Sequence, residues 1–449
     1  MSGLPAAAIL TMSLLTASCG LATRQEHQPL SATLTLPPAW TPTSYQPALT
    51  ATRAVPSPSV APSPTPIPSP ATALETTFPI GYEPIEHLTA ETPLHIDTLT
   101  MIDENHGWAV GDPGWGSSHV LITVDGALSW RDVTPPALAP AGRHLAAAAA
   151  FVDEFHAWVV YVDMLNRHCS VPIQVWRTAD AGETWQRSSA LVLGAAPVFT
   201  LLGMSFVDTE TGWLFAAVGC MSDPGQRALF RTVDGGETWE KLPLAKPGDG
   251  DLLAAGGWKV RFAGQQTGMA TPRDPILEPI VLWTDDGGLT WLRSELPTPS
   301  WFPGFFETYF AELGGCTIVR SQLISDLSAV VLLECLKAGG EDRALYRTGD
   351  GGQTWEAFPV PSDAGSPEFL DPSTGWIFGR VIYSTRDGGR SWLKVREVDW
   401  DGFGFTFINP TVGWAIAVES AYPGMYEYAV VHTTDGGRTW QKLMTWIGV

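Results

Sequence analysis

One eight-residue pattern recurs seven times along the chain, and it restricts the possible folds more than any other feature. The pattern is Ser/Thr-x-Asp-x-Gly-x-Ser/Thr-Trp, and only the first copy departs from it, with Ala127 in the Gly position. The copies are TVDGALSW from Thr123, TADAGETW from Thr178, TVDGGETW from Thr232, TDDGGLTW from Thr284, TGDGGQTW from Thr348, TRDGGRSW from Thr385 and TTDGGRTW from Thr433. Their average spacing of about fifty residues is typical of β-propeller blades and too long for most helical repeats.

A second marker precedes most of these octets: an apolar run, a polar turn, and then Gly-Trp or a substitute for it. Examples are MIDENHGWAVG from Met101, FVDEFHAWVV from Phe151, FVDTETGWLF from Phe206, FLDPSTGWIFG from Phe369 and FINPTVGWAIA from Phe407. The apolar run predicts strand A of a blade, and the residues after Gly-Trp predict strand B. Strand C leads into the octet, and strand D begins at its Trp. Seven such repeats from about His95 predict an all-β, seven-bladed propeller of four-stranded antiparallel blades.

The octet itself has the composition of a tight turn. Gly adopts left-handed backbone angles without steric cost, and an Asp carboxylate can accept hydrogen bonds from amides of its own turn. A catalytic carboxylate needs one special environment, whereas the seven octet Asp residues share one local context. We therefore expect a structural role for Asp125, Asp180, Asp234, Asp286, Asp350, Asp387 and Asp435.

The octets resemble Asp-box repeats, also called BNR repeats, and the resemblance covers the chain after residue 77. Asp-box propellers include sialidases, the sortilin receptors and some endoglucanases. With the Gly-Trp marker added, the pattern most resembles the photosystem II stability and assembly factor family. That resemblance implies a non-catalytic, extracytoplasmic propeller that binds other proteins and uses no cofactor.

The alternative is a glycoside hydrolase, sialidase-like or endoglucanase-like, or a carbohydrate-binding propeller. Sialidases carry Arg-Ile-Pro or Arg-Leu-Pro before the first box, which supplies one of three Arg residues that grip the sialate carboxylate. Neither tripeptide occurs in this sequence. Arg177, Arg231 and Arg347 each precede an octet, which places them on strand C near the outside of the disc. Without the Arg trio, Glu307 and Tyr309 are better explained by packing than as a catalytic pair. Endoglucanase-like hydrolysis needs two well-separated carboxylates, and acidic loops offer candidates for them.

A ligand surface is expected on the face opposite the octets, which we call the loop face. The A–B and C–D turns of a blade share one face with the octets, so the long insertions lie on the other. These insertions are residues 162–172, 297–315 and 418–430, and they are rich in aromatic residues. The predicted binding residues are Trp301, Phe305, Phe306, Tyr309, Tyr422, Tyr426 and Tyr428. Alternatively, these rings pack on one another and plug the axial channel. Polar residues of the same loops, Asp112 and His168 among them, show no spacing of a metal site.

The N-terminus predicts export. Residues 1–19 form a signal-length apolar run, too short to span a membrane, and Thr16-Ala17-Ser18-Cys19 resembles a lipobox with Cys19 as the lipidated residue. An ordinary secretory signal with an incidental Cys is the alternative. Residues 20–77 are rich in Pro, Ser and Thr and predict a disordered tether, which leaves 78–449 for the propeller. The sequence thus predicts a membrane-anchored extracytoplasmic lipoprotein, at the cell surface or in the periplasm.

Charge and cysteine content narrow the partners. A formal net charge of -21 disfavours nucleic acid, so a protein, possibly in a membrane complex, or a polysaccharide is expected. Besides Cys19 there are four Cys residues, an even number that fits an oxidising compartment. Cys316 and Cys335 are symmetric about a turn and predict one disulfide; Cys169 and Cys220, in corresponding B–C loops of neighbouring blades, predict another. The short spacing from Asp350 to Asp387 predicts a sixth blade without a full B–C loop. Whether the ring closes with a strand from residues 78–92 stays open.

Overall fold

Short antiparallel strands and tight turns make up nearly all of the regular structure, as the repeats predict. The computed structural model describes residues 82–114, 116–163, 173–193, 196–198, 200–220, 223–243, 257–272, 280–306, 316–337, 340–363, 365–422 and 425–448. All of these residues belong to one compact unit, Glu75–Val449. Their strands form seven four-stranded antiparallel sheets, so the predicted seven-bladed propeller is confirmed. Within the described part of the chain, no helix combines the length and apolar character needed to cross a membrane.

Each blade contains four consecutive strands, and the first strands of neighbouring blades contact one another at several blade boundaries. Blade 1 contains β2 (His95–Met101), β3 (Gly107–Asp112), β4 (His119–Thr123) and β5 (Arg131–Asp132). Blade 2 contains β7 (Leu145–Phe151), β8 (Ala157–Asp163), β9 (Val175–Thr178) and β10 (Gln186–Arg187). Blade 3 contains β13 (Thr200–Phe206), β14 (Gly212–Cys220), β15 (Asp223–Thr232) and β16 (Glu240–Lys241). Blade 4 contains β17 (Trp258–Phe262), β18 (Gly268–Pro272), β19 (Ile280–Thr284) and β20 (Leu292–Glu295).

The remaining three blades follow the same order. Blade 5 contains β21 (Cys316–Leu323), β22 (Ala329–Lys337), β23 (Gly340–Thr348) and β24 (Glu356–Pro359). Blade 6 contains β25 (Ser366–Phe369), β26 (Gly375–Phe378), β27 (Val381–Thr385) and β28 (Leu393–Glu397). Blade 7 contains β29 (Asp401–Phe407), β30 (Gly413–Tyr422), β31 (Met425–Thr433) and β32 (Gln441–Leu443). Outside the blades, β1 (Tyr82–Pro84) pairs with β6 (Leu138–Pro140), and β11 (Val192–Leu193) pairs with β12 (Ala196–Pro197).

The Gly-Trp marker builds the core between blades. Trp213 on β14 is 1% exposed and stacks on Phe262 at the end of β17 in the next blade, with ring centroids 3.8 Å apart. The octet Trp of that next blade, Trp291, meets the other side of Phe262 edge-on at 6.0 Å. Trp158 and Trp376 stack in the same way on the Phe of the following blade. The two sequence markers thus supply one layered aromatic contact between neighbouring blades.

The Gly of the marker is required by the same packing. A Cβ atom on Gly212 would lie 2.5 Å from the ring of Phe206, which ends strand A of the same blade. Gly268 and Gly413 stand equally close to Phe262 and Phe407. The aromatic residue that closes strand A therefore occupies the space that a side chain at the Gly position would need.

The octet forms a turn with one repeated hydrogen-bond pattern. In the third copy, the carboxylate of Asp234 accepts bonds from the Thr232 hydroxyl at 2.7 Å and from the Thr238 amide at 2.9 Å. The same Thr hydroxyl to Asp bond, 2.7–2.9 Å long, occurs in all seven octets. The two residues after each octet Asp have positive φ. Twelve of these fourteen residues are Gly, which adopts such angles without strain, and the other two are Ala127 and Ala181.

The C-terminus closes the ring without lending a strand to blade 1. All four strands of blade 7 lie between Asp401 and Leu443, and the tail that follows packs onto blade 1. The Trp130 amide donates to the carbonyl of Trp446 at 3.1 Å, and the Ile447 amide donates to the carbonyl of Thr92 at 3.0 Å. Ile447 is 5% exposed in the core cluster that contains Trp130. Closure therefore depends on a short tail held between the start and the octet of blade 1.

The connections between strands B and C differ in length in blades 6 and 7. Blade 6 has only Gly379 and Arg380 between strands B and C, which agrees with the short loop that its spacing predicts. The insertion at 418–430 is a hairpin rather than a loop, because β30 and β31 continue through most of it and pair as far as Tyr422 and Met425. Apolar and polar residues are interleaved on both sides of Pro423-Gly424 in the sequence, and this pattern predicts a hairpin. The prediction of a loop considered only the length of the insertion.

Candidate functional site: the axial channel

The first strands of the blades enclose a channel on the propeller axis with a cavity of about 800 Å³. Small and hydroxylated side chains widen it, because β7 contributes a row of four Ala residues and other strands contribute Thr and Ser. The lining includes Thr98, Thr100, residues 147–151, Met204, Ser205, Lys259, Arg261, Arg320, Ser321, Gln322 and Gly404. Among the described aromatic residues of the insertions, Trp301, Phe305, Phe306 and Tyr428 do not line this cavity.

Three cationic side chains lie in this lining: Lys259, Arg261 and Arg320. Strand alternation explains the first two, because Trp258, Val260 and Phe262 of β17 are buried between blades and the residues between them face the axis. Arg320 follows an irregularity in β21, where the pairing with β22 shifts after Ile318. The channel therefore concentrates positive charge inside a chain whose net charge is strongly negative.

Blades 5 and 6 supply the polar wall beside Arg320. Its guanidinium forms an ion pair with Glu368 on β25. Gln322 joins the same two strands: its amide nitrogen donates to the Phe369 carbonyl at 2.7 Å, and its amide oxygen accepts from the Phe369 amide at 2.8 Å. Burial raises the pKa of Glu368, although the Arg320 charge opposes this shift. These contacts fix the Arg320 side chain along the channel wall.

A group of titratable residues lies where strand A begins and strand B ends in blade 1, towards the loop face. His95, Asp97 and Asp112 each place a potential ligand atom within 4.8 Å of the others. The ring of Tyr428 lies against the His95 ring, with centroids 3.8 Å apart, and Phe403 meets Tyr428 edge-on. Burial raises the pKa of Asp97, His95 lowers it, and Asp112 raises it further.

The predicted aromatic surface is only partly present. Trp301 and Tyr428 are exposed by 43% and 39%. Phe305 and Phe306 are wrongly predicted as surface residues: they are 1% and 8% exposed, because they pack edge-to-face on each other in the core with Trp283. Tyr309 lies outside the described residues. For Tyr422 and Tyr426 the structure describes the backbone of the blade 7 hairpin alone.

The cysteines are described in part. Cys316 and Cys335 are directly paired across β21 and β22, and the predicted disulfide between them is present and fully buried. Cys19 and Cys169 lie outside the described residues, as do the signal and tether at 1–77, so the second disulfide and the lipid anchor stay predictions.

The Arg and Asp residues around the octets make hydrogen bonds within and between blades. Arg177, Arg231 and Arg347 each donate to a backbone carbonyl in the next blade, at 3.1, 3.4 and 3.3 Å, so they do not converge on the axis. Hydrogen bonds from the octet hydroxyls and amides lower the pKa of all seven Asp carboxyls. At Asp125, Asp234, Asp286 and Asp435, burial is the largest single influence and acts to raise the pKa, but these bonds outweigh it. At Asp180, Asp350 and Asp387, the hydroxyl bond is the largest influence.

Sequence reasoning missed the channel cations and the His95 group. The three cations, His95 and Asp97 lie on first strands, whereas Asp112 ends the second strand of blade 1 and was predicted only as a polar loop residue. The available signals were the alternation of Lys259 and Arg261 with apolar residues in WKVRF, and His-x-Asp at the start of the first strand A. The first pattern is visible in the sequence alone, because apolar residues that alternate with Lys259 and Arg261 point to the neighbouring blades and leave the two cations towards the axis.

Fold and site together define a seven-bladed β-propeller with a cationic axial channel. No family model matches the chain. Xyloglucanase Xgh74A of Acetivibrio thermocellus is 24% identical to it over 267 residues, which is 50% of this chain and 29% of the relative. The match thus spans less than a third of the length of this curated relative.

Two solved propeller structures resemble the fold. YCF48 bound to a D1 peptide superposes with a TM-score of 0.47 and 17% identity, covering 75% of this chain and 94% of that one. The GH74 xyloglucanase from Xanthomonas campestris gives a TM-score of 0.48 and 15% identity, covering 82% and 56%. At these identities the likeness concerns the fold alone.

Proposed function

We propose that this protein is a membrane-tethered, extracytoplasmic binding propeller that acts as an assembly scaffold and holds an acidic segment of a partner protein in its axial channel. The observation that carries the proposal is the pair of cations Lys259 and Arg261, beside the ion-paired Arg320, around the cavity of about 800 Å³. The tether and export signal are those predicted from residues 1–77.

The chemistry of the channel suits carboxylates. Arg guanidinium groups bind carboxylates in a fixed two-point geometry, and charge attraction is stronger in a partly enclosed site than in open water. The cavity falls within the usual size range of ligand sites, and Thr98, Thr100 and Ser321 add hydrogen-bonding groups. The chain as a whole carries a net charge of -21, which opposes the approach of acidic partners away from such local cations.

The resemblance of the paired markers to the photosystem II assembly factor family supports a protein partner. Acidic peptide tails meet the geometric requirement, because an extended chain is narrow enough to enter a propeller axis. Under this proposal the octets and the aromatic layers keep the blades rigid, and the side chains of the first strands recognise the acidic segment of the partner.

The test measures binding of a fluorescein-labelled Glu/Ser peptide by anisotropy, beside a Gln/Ser peptide of the same length. The wild type is expected to bind the Glu peptide at least tenfold more tightly than the Gln peptide, and the double variant Lys259→Gln/Arg261→Gln is expected to lose this preference. The matched control is Lys241→Gln/Arg386→Gln, which removes two exposed charges outside the channel. Equal loss in both double variants, or no preference in the wild type, would overturn channel recognition.

Carbohydrate binding or glycoside hydrolysis is the second candidate, favoured by the similarity to a relative named as a xyloglucanase. Incubation with xyloglucan and an assay for reducing ends separates the two proposals. Release of oligosaccharides, together with no preference for the Glu peptide, would move the assignment to the glycoside hydrolase.

A further inference from the structure

The group His95, Asp97 and Asp112 at the loop-face end of blade 1 has the composition of a metal site. We propose that these three side chains bind a divalent transition-metal ion, of the class of Zn²⁺ or Mn²⁺. The proposal goes beyond partner binding, since it assigns a second ligand to a different part of the propeller.

The distances fit metal coordination. One ring nitrogen of His95 and one carboxylate oxygen each of Asp97 and Asp112 all lie within 4.8 Å of one another. Ligands bound to one Zn²⁺ ion at about 2.0–2.2 Å stand about 3–4 Å apart, so modest side-chain rotations bring all three to one ion. The three residues therefore need no backbone rearrangement to meet.

The backbone places the three residues together by strand pairing. His95 and Asp112 are direct partners across β2 and β3, and cross-strand partners share a face of the sheet. Asp97 follows His95 by two residues and is the extra residue of an irregularity between Ile96 and Thr98. Strand alternation and this bulge thus present Asp97 on the side of His95, and bulges commonly re-aim a side chain in this way.

The imidazole of His95 provides independent support. Its Nε2 atom is buried and has no hydrogen-bond partner. Buried polar atoms of side chains are generally satisfied, so this unpaired nitrogen, on a half-buried member of the group, is open to a metal ion. The ring of Tyr428 packs against the His95 ring, with centroids 3.8 Å apart, and restricts its rotation.

The ligand types select the metal class. Imidazole nitrogen favours Zn²⁺ and related ions over Ca²⁺ and Mg²⁺, and carboxylates accept Zn²⁺ and Mn²⁺. Three protein ligands leave at least one coordination position for water or for a ligand group, as open zinc sites do. Asp112 also accepts a hydrogen bond from the Gly114 amide at 2.5 Å through Oδ1, which leaves Oδ2 for the ion.

The protein contains a matched internal control. His106 and Asp103 form a pair of the same residue types, with 2.9 Å between Nδ1 and Oδ2, on the octet face of the same blade. This pair belongs to none of the groups of three ligands in the described part of the chain. Substitution of His106 therefore tests whether an exposed His/Asp contact is enough for binding.

The experiment is calorimetric titration of Zn²⁺, and separately of Mn²⁺, into the tag-free, detergent-solubilised full chain after removal of metals with EDTA. We expect one equivalent of metal at the site. His95→Gln, Asp97→Asn and Asp112→Asn should each weaken binding at least tenfold, whereas His106→Gln should not. The unfolding curve of each variant without metal shows whether that variant is folded. If His95→Gln or Asp112→Asn does not fold, the near-isosteric Asp97→Asn variant provides the test of metal binding.

A spectroscopic readout follows the same ion. Co²⁺ in place of Zn²⁺ should give visible absorption bands that Asp97→Asn abolishes and His106→Gln preserves. Wild-type binding that is unchanged in His95→Gln and Asp97→Asn would overturn the proposal. So would equal loss in His106→Gln, the absence of Zn²⁺ and Mn²⁺ binding, or binding of Ca²⁺ alone.

Discussion

The indole of Trp158 lies flat on the ring of Phe206 in the next blade, with centroids 3.8 Å apart and an angle of 9° between the planes. Its Nε1 atom also donates a 2.7 Å hydrogen bond to the carbonyl of Gly235, in the octet of that blade. Trp213, Trp376 and Trp414 make the equivalent hydrogen bond to the Gly of a neighbouring octet. One residue type thus joins the two repeated sequence markers across each of these blade boundaries.

Replacing Trp158 by Phe tests this link. The change removes the bond to Gly235, leaves its buried carbonyl without that donor and opens a cavity beside Phe206. We expect a loss of about 2–4 kcal/mol in the free energy of unfolding, measured with guanidinium chloride. Trp301→Phe is the control, because Trp301 is 43% exposed and should change stability by less than about 0.5 kcal/mol. Similar effects of the two substitutions would contradict the role of the inter-blade bond.

The close approach of Gly212 to Phe206 gives a second test. A Cβ atom at Gly212 would lie 2.5 Å from the Phe206 ring, so Gly212→Ala must displace the ring that contacts Trp158. We expect a destabilisation of about 1–3 kcal/mol in the same unfolding assay.

Gly349 supplies the control for this change. A Cβ atom there meets nothing within 4 Å, so Gly349→Ala should be close to neutral. If Gly212→Ala is as well tolerated as Gly349→Ala, the steric explanation of the Gly-Trp marker is wrong.

The repeated markers made the fold predictable from the sequence, because the octet occurs in all seven blades and the Gly-Trp marker, once as Ala-Trp, in five. Positive φ after Asp234 favours Gly, and the aromatic layer favours Gly-Trp, so strand order and blade count follow from the order and spacing of the two markers. Ring closure by Ile447 was not predictable, since the tail pairs with residues about 350 positions away and carries no repeat. Register over such distances depends on the assembled ring.

The candidate site was predictable only in part. Aromatic loop residues looked available for binding, but burial of Phe305 depends on neighbours that the sequence does not identify. Lys259 and Arg261 could be placed on the axis by alternation in a strand. Strand alternation indicates that His95 and Asp97 share a face, but the arrival of Asp112 beside them depends on the register between β2 and β3.

The octet carboxylates predict a specific acid dependence. Asp387 has a pKa of about 2, mainly because the Ser391 hydroxyl donates to it at 2.6 Å; burial opposes this shift, and the Ser391 amide supports it. An unfolded Asp has a pKa of about 3.9. Since the folded pKa is the lower one, the stabilisation is complete above about pH 4 and is lost as the pH falls towards 2.

The measurement is the free energy of unfolding from pH 7 to pH 2 for the wild type and Asp387→Ala. At neutral pH the variant should be less stable by about 1–2 kcal/mol, and the difference should shrink between about pH 4 and pH 2. The control is Asp285→Ala, which removes a surface carboxylate. Asp285 is exposed and lies in the fourth octet, next to Asp286, the Asp of the repeated pattern. A difference that stays constant down to pH 2 would refute the assignment.

Ring closure by the C-terminal tail predicts unequal effects of neighbouring substitutions. Ile447 is 5% exposed and packs in the cluster with Trp130, so Ile447→Ala should cost about 2–5 kcal/mol. Met444 is three residues away but 73% exposed, and Met444→Ala should change stability by less than about 0.5 kcal/mol. Chemical unfolding of both variants distinguishes them, and equal stabilities would mean that the tail does not hold the ring together.

The disulfide between Cys316 and Cys335 joins the first two strands of blade 5 and encloses a separation of 19 residues. Closing a loop of this length restricts the unfolded chain, so Cys316→Ala/Cys335→Ala should lower the free energy of unfolding by about 3 kcal/mol. Because both residues are fully buried, dithiothreitol should leave this bond intact in the folded protein and break it only with denaturant present. Alkylation after each treatment, with mass mapping of the two cysteines, measures this directly. Rapid alkylation of Cys316 after dithiothreitol treatment without denaturant would contradict the expected protection of the disulfide by the blade 5 core.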